Sequence, residues 1–292
     1  MASFYDRMDE NRRNSYVLIA LVFGVCMASV WGASVLFLGD SALGFAMGAL
    51  FSGGYVALTY FAADRMVLSV SGAREAKKGE FPYLVNTVEG LSIAAGVPMP
   101  KVYVMDDPAP NAFAVGTSPE KASVAFTTGL VSMMSRAELE GVAAHELSHI
   151  KNFDSRMATI AVAMVGLIAI LSDLGLRSMF WGRGSDRGGR GGGGGLAIIG
   201  LAIIIIAPIA SQLVRLALSR QREYLADASG AQLTRYPEGL ASALEKMGKA
   251  GTVVRRATDA TASLYFANPL SMGGLLSTHP PIRERVRRLR EM

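Results

Sequence analysis

Hydrophobic positions along the chain gather into four long blocks separated by polar stretches. The first covers about residues 15–38 and the second about residues 41–63. Each is long enough to cross a hydrocarbon core as a helix, which takes roughly 20 residues. Only Gly39 and Asp40 separate them, which predicts a helical hairpin. A cleaved signal peptide is the alternative for the first block, but its apolar stretch exceeds a signal core and a second span follows at once. The third block covers residues 157–174 and the fourth residues 196–216. Between them, residues 182–195 are rich in Gly and Arg, which predicts a flexible loop because glycine loses much entropy on ordering.

The stretches between the blocks carry shorter periodicities. Residues 81–95 have helical spacing and end at Gly96, with Pro98 and Pro100 beyond as stop signals. Residues 101–105 read as a short strand, 106–110 as a Pro-rich turn, and 111–115 and 122–127 as two further strands joined through 116–121. Ser135 and Glu138 have the spacing of a capping box, which opens another helix. Residues 217–292 read as soluble and helical, with a basic stretch at 283–290. The expected organisation is therefore an N-terminal segment 1–14, a membrane hairpin 15–63, a soluble part 64–156, a second hairpin 157–216, and a second soluble part 217–292. The fold class is mainly α with a small β-sheet, combined with about four transmembrane helices.

Composition supports this partition. The hydrophobic share is 51% and the mean hydropathy +0.32, and the excess sits in the four blocks. The one cysteine, Cys26, lies in the first block, so no internal disulfide can staple the fold. The net charge of +5 could suggest nucleic acid, but many Arg and Lys flank the apolar blocks, and no basic run alternates with aromatics. Anchoring to a lipid bilayer accounts for the charge, and a nucleic-acid partner is not expected. Residues 64–156 hold nine Lys or Arg and 217–292 hold twelve, while the Gly39–Asp40 turn holds none. The positive-inside rule places the soluble parts in the cytoplasm. Arg177, Arg183, Arg187 and Arg190 run against it: either that loop is translocated despite its charge, or the third and fourth blocks do not both span.

The candidate chemistry sits on the helix that Ser135 opens. His145-Glu146-Leu147-Ser148-His149 matches H-E-x-x-H. Residues four apart share a helix face, so two imidazoles can bind one Zn²⁺ with Glu146 beside the open position. The chain has only three histidines, so chance pairing at this spacing is a poor explanation. A catalytic zinc needs a third protein ligand. Glu223 is the best candidate, with Asp227 one turn on to accept a ring N–H from a ligating histidine. An ordinary charged helix surface is the plain alternative. His149 lies shortly before the third block and Glu223 shortly after the fourth, so antiparallel blocks would bring both to one membrane face. His279, in Ser277-Thr278-His279-Pro280, could be the third ligand instead or an oxyanion donor. Arg285 could pair with Asp227 or a substrate carbonyl, or simply be solvated.

These motifs together resemble the HtpX family of membrane metallopeptidases, with the CAAX prenyl proteases as more distant relatives. The resemblance rests on H-E-x-x-H, Glu223-x-x-x-Asp227, residues 277–280, the two N-terminal blocks and Asn111-Ala112-Phe113-Ala114-Val115-Gly116, and it covers nearly the whole chain. It implies a zincin-like domain, with His145, His149 and Glu223 as ligands of one Zn²⁺ per subunit and Glu146 as catalytic acid/base. It also implies a multi-pass protein of a bacterial-type plasma membrane, acting from the cytoplasm in membrane-protein quality control under stress.

The reaction expected is hydrolysis of peptide bonds in unfolded or damaged membrane proteins. Asn111, Ala112, Phe113, Ala114 and Val115 could form an edge strand that binds extended substrate through its backbone, giving loose sequence preference. A processing peptidase for lipidated or signal peptides would call for a larger chamber with more spans. A scaffold with a structural zinc would call for a closed, cysteine-rich site, which the lone Cys26 does not supply.

Overall fold

A computed structural model describes residues 4–38, 40–165, 220–251, 253–258, 261–267, 269 and 280–292. Helix α1 spans Phe4–Leu38 and α2 spans Ser41–Val70. α1 begins well before the apolar block, because residues 4–14 are polar but hold good helix formers such as Arg, Met and Glu. Asp40 caps α2, accepting a hydrogen bond from the Leu43 N–H at 2.9 Å. The two helices approach closely at Gly44, where a Cβ would stand 2.5 Å from that of Ser34. Among the described residues, Asp9–Gly32 and Ser41–Val70 are long and apolar enough to cross a membrane.

The opening of the third apolar block is helical over residues 154–165, here called α6. Its Met157, Ile160, Ala161 and Met164 pack against Leu18 and Val22 of α1 and Tyr55 of α2. The Tyr55 hydroxyl donates to the Met164 carbonyl at 2.7 Å. The rest of that block, the loop 182–195 and the fourth block 196–216 lie outside the described residues, as does His279.

The soluble part is a small mixed sheet with helices against it. Its strands are β1 (Ala73–Glu75), β2 (Lys101–Met105), β3 (Ala112–Val115) and β4 (Ser123–Thr127), in the order β1-β2-β4-β3. β2 and β4 are parallel, and the two outer pairings are antiparallel. α3 (Pro82–Ala95) starts with Pro at its first turn and stops at Gly96, whose φ of 68° suits a residue without a Cβ. β1 has no alternating pattern in its three residues Ala-Arg-Glu, so periodicity could not reveal it.

After the short α4 (Thr128–Met133) comes α5 (Arg136–Lys151), opened by the Ser135–Glu138 capping box. α7 (Arg220–Thr234), α8 (Pro237–Ala250) and α9 (Ile282–Arg290) complete the described helices. One core joins α3, the sheet, α5, α8 and α9 through Leu84, Val104, Phe126, Leu147, Leu244 and Leu289. Glycines set the crossings of α5. A Cβ on Gly141 would stand 2.7 Å from the Leu240 nitrogen of α8, and one on Gly230 of α7 would stand 3.0 Å from the His145 nitrogen. α5 is therefore clamped between the sheet and two helices at the point where its histidines lie.

Candidate metal centre

α5 turns His145 and His149 to one face, with ring centroids 4.7 Å apart and planes nearly perpendicular. The close crossing at Gly230 brings Glu223, two turns earlier on α7, over the same face. The Glu223 carboxylate stands 3.4 Å from His149 Nε2 and 3.9 Å from His145 Nε2. Donor atoms of His145, His149 and Glu223 all lie within 4.8 Å of one another. The His149 and Glu223 side chains keep 15% and 12% exposure while His145 keeps none, so the site opens on the His149–Glu223 side.

Each imidazole is backed by a carboxylate. His145 Nδ1 lies 3.0 Å from Asp227 Oδ1. His149 Nδ1 lies 3.1 Å from Asp154 Oδ2. A carboxylate only accepts, so both rings carry a proton on Nδ1. Once His149 gives up its second proton, the two Nε2 atoms, 3.1 Å apart, face each other as lone pairs. Two facing lone pairs beside a carboxylate fit a cation. A tetrahedral zinc with bonds of about 2.0–2.1 Å would set its ligand atoms about 3.3 Å apart, close to the spacings here.

Asp227 is itself held. Arg285 of α9 donates from Nε to Oδ2 at 2.8 Å and from Nη2 to Oδ1 at 2.7 Å, a bidentate pair, and from Nη1 to the Phe266 carbonyl at 2.9 Å. The Phe266 ring packs edge-on to His145, with the guanidinium 4.6 Å from its centroid. Arg285 is thus paired with Asp227, one of the expectations for it, and is not a solvated charge; its Nη1 also stands 3.6 Å from Glu223 Oε2. It is 1% exposed and braces Asp227 from behind.

Charge follows from these contacts. Burial pushes the Glu146 carboxyl up to about 8, a push strengthened by Glu223 and opposed by His149, Arg285 and the Ala114 N–H. Burial pulls His145 down to about 4, against the pull of Asp227. His149 is also penalised by burial, but Asp154 and Glu223 outweigh it and hold the ring well above its ordinary value. Burial would raise Asp227, yet Arg285 and His145 hold it below the usual carboxylate range. Glu146 is 1% exposed, and its Oε1 has no hydrogen-bond partner.

The expected substrate strand is placed beside α5, at the edge of the sheet, as β3. Its edge is not open along all five residues. The Ala112 carbonyl accepts from the Phe266 N–H at 2.8 Å, and the Asn111 side chain exchanges two hydrogen bonds with the Ala267 backbone. Farther on, the Gly116 N–H donates to Thr159 Oγ1 at 3.0 Å. Between these contacts the Ala114 N–H lies near enough to Glu146 to favour its ionised form. The covering segment 265–267 has no strand pattern in the sequence, so the edge looked open from sequence alone. Asp154 and Phe266 were also not legible as site residues. Asp154 follows the motif by five residues, a spacing that no longer shares the helix face, and Phe266 is an aromatic in an irregular stretch.

The profile of Peptidase family M48 matches residues 78–292. A "Protease HtpX homolog" of Dictyoglomus thermophilum is 51% identical over 296 residues, covering 99% of this chain and 95% of that one. Another "Protease HtpX homolog", from Tropheryma whipplei, is 44% identical over 291 residues, covering 99% of this chain and 98% of its own. Among solved structures, the crystal structure of S. mikatae Ste24p aligns with a TM-score of 0.48 at 19% identity, covering 98% of this chain and 67% of that chain.

Proposed function

From the premise that the chain belongs to peptidase family M48, we propose that it is a membrane-bound zinc endopeptidase, acting from the cytoplasmic side on unfolded or damaged membrane proteins. The observation that carries the reading is the pair of carboxylate-backed imidazoles whose Nε2 atoms converge with Glu223. His145, His149 and Glu223 would hold the metal. When bound, Zn²⁺ supplies Lewis acidity: it polarises a scissile carbonyl and lowers the pKa of water from 15.7 to about 7.

The chain's own residues do the rest. Glu146, one position from His145 and with Oε1 unengaged, takes the proton of the attacking water and returns it to the leaving amine. Burial, which raises its carboxyl, suits a group that must both accept and return a proton. Asp227 and Asp154 fix the tautomer of the two ligating histidines. The Arg285–Asp227 pair keeps the first of these carboxylates ionised and aimed. Extended substrate would lie along the edge of β3 near Ala114, where the backbone faces Glu146. Recognition through backbone alone predicts loose sequence preference. That preference suits clearance of damaged chains better than maturation of a single substrate.

The reading is tested by metal analysis of the full chain in detergent. One zinc per chain in the wild type, lost in Glu223→Ala and His149→Ala, is expected. Undiminished zinc in both variants would remove the assigned ligand set. Cleavage profiling on a peptide library should give a shallow preference, and one dominant sequence would contradict the clearance role.

A further inference from the structure

We propose that Asn11, on the first membrane helix, is a positioning residue of the zinc site: it holds Asp154, and Asp154 holds the imidazole of His149. This rests on the zinc reading above and extends it to a residue far from the motif in sequence. Asn11 Nδ2 donates to Asp154 Oδ1 at 2.7 Å and to the Asn152 carbonyl at 3.0 Å. Both acceptors are oxygens, so the amide is oriented with its nitrogen toward them and both its N–H groups are engaged. The other oxygen of Asp154 faces His149 Nδ1.

The chain is built to present Asp154 there. Phe153, between α5 and α6, has φ of 60°, a conformation side chains larger than Gly rarely adopt. Such backbone persists where surrounding contacts fix it. Here the turn lets the chain leave α5 and set Asp154, at the start of α6, back against His149. Asp154 is 5% exposed and Asn11 8%, so the carboxylate depends on protein partners more than on water. The α1–α6 packing around Leu18 and Met157 keeps Asn11 within reach.

The chemistry explains why the residue is an amide. A ligating histidine is oriented by the group on its other nitrogen, and that carboxylate needs its own donors. Leu would supply none, and Asp would set a second carboxylate against the first. The membrane helix is therefore part of the metal site, and zinc affinity depends on how α1 is docked.

Zinc affinity of the full chain in detergent, by competition with a chromogenic chelator, tests this, with the visible spectrum of the Co²⁺-loaded protein as a second readout. Asn11→Leu should weaken zinc binding about 10-fold, within the 10–100-fold range for such outer contacts, and shift the Co²⁺ bands. In an Asp154→Ala background the same substitution should cost nothing further, because Asn11 acts through Asp154. Ser15→Ala, one turn along, removes a hydroxyl that donates to the Asn11 carbonyl and not to its side chain, and should leave affinity unchanged. If Asn11→Leu does not fold, Asn11→Asp has the same shape and carries the same prediction. Wild-type affinity in the Asn11 variant, or an equal loss in both backgrounds, would overturn the proposal. A wild type that binds neither Zn²⁺ nor Co²⁺ would instead remove the zinc reading beneath it.

Discussion

At the scale of single residues, the site depends on buried charges that neutralise one another in sequence: Arg285 holds Asp227, and Asp227 holds His145. Arg285→Met should cost about 3–5 kcal/mol of stability, because it strands a buried carboxylate. Denaturant unfolding in detergent checks this, and a loss below about 1 kcal/mol would place the pair outside the stabilising core. Arg285→Lys should recover only part of the loss, since an ammonium cannot reproduce the forked contact. The cluster of His145, His149 and Glu223 was legible because H-E-x-x-H and Glu-x-x-x-Asp are local helix spacings. Asp154 and Asn11 were not, because their meeting depends on the left-handed turn at Phe153 and on the docking of helices 143 residues apart in sequence.

At the scale of elements, α5 must be fixed at its start and along its flank for the histidines to stay aligned. Glu138 does the first: it accepts from the Ser135 N–H at 2.7 Å and from Lys246 Nζ at 2.6 Å. Burial raises its carboxyl, but Lys246 and the Ser135 contacts outweigh this and hold it below its ordinary value. A depressed folded pKa adds stability that is present above the unfolded value of about 4.3 and lost as pH falls through the folded one. Glu138→Gln should therefore lower the unfolding temperature at pH 7, and the gap to wild type should narrow below about pH 4. A gap that stays constant with pH would assign the effect to packing. On the flank, Gly141→Ala forces a Cβ to 2.7 Å from the α8 backbone. Overpacking should cost about 1–3 kcal/mol, outweighing the gain of about 1 kcal/mol in helix propensity, and the same unfolding measurement reads it. The strands at 101–105, 111–115 and 122–127 and the helix at 81–95 were legible to within a residue, because each has turn or stop signals at its ends. β1 and α4 were not, since three and six residues carry too little periodicity.

At the scale of the whole molecule, two helices among the described residues have the length and composition to cross a membrane, and the first of them bonds to the segment that follows the helix carrying His145 and His149. The proposed orientation, with the soluble part on the cytoplasmic side, rests on the Lys and Arg distribution. With Cys26 replaced by Ser, Lys249→Cys should react with a membrane-impermeant thiol reagent in inverted vesicles and not in intact cells, and the opposite pattern would reverse the orientation. The two long N-terminal helices were legible from hydropathy, although α1 extends past its apolar block. The cover over the β3 edge was not, because the irregular stretch 261–267 takes its place through long-range contacts to Asn111, the sheet and Arg285. The central claim is that Glu146 performs proton transfer at a zinc held by His145, His149 and Glu223. Its most direct test is cleavage of an unfolded protein substrate in detergent by zinc-loaded wild type and by zinc-loaded Glu146→Gln. The account predicts chelator-sensitive cleavage by the wild type and a loss of about 10²–10⁴-fold or more in the variant, with zinc content unchanged. Equal cleavage by both would contradict it.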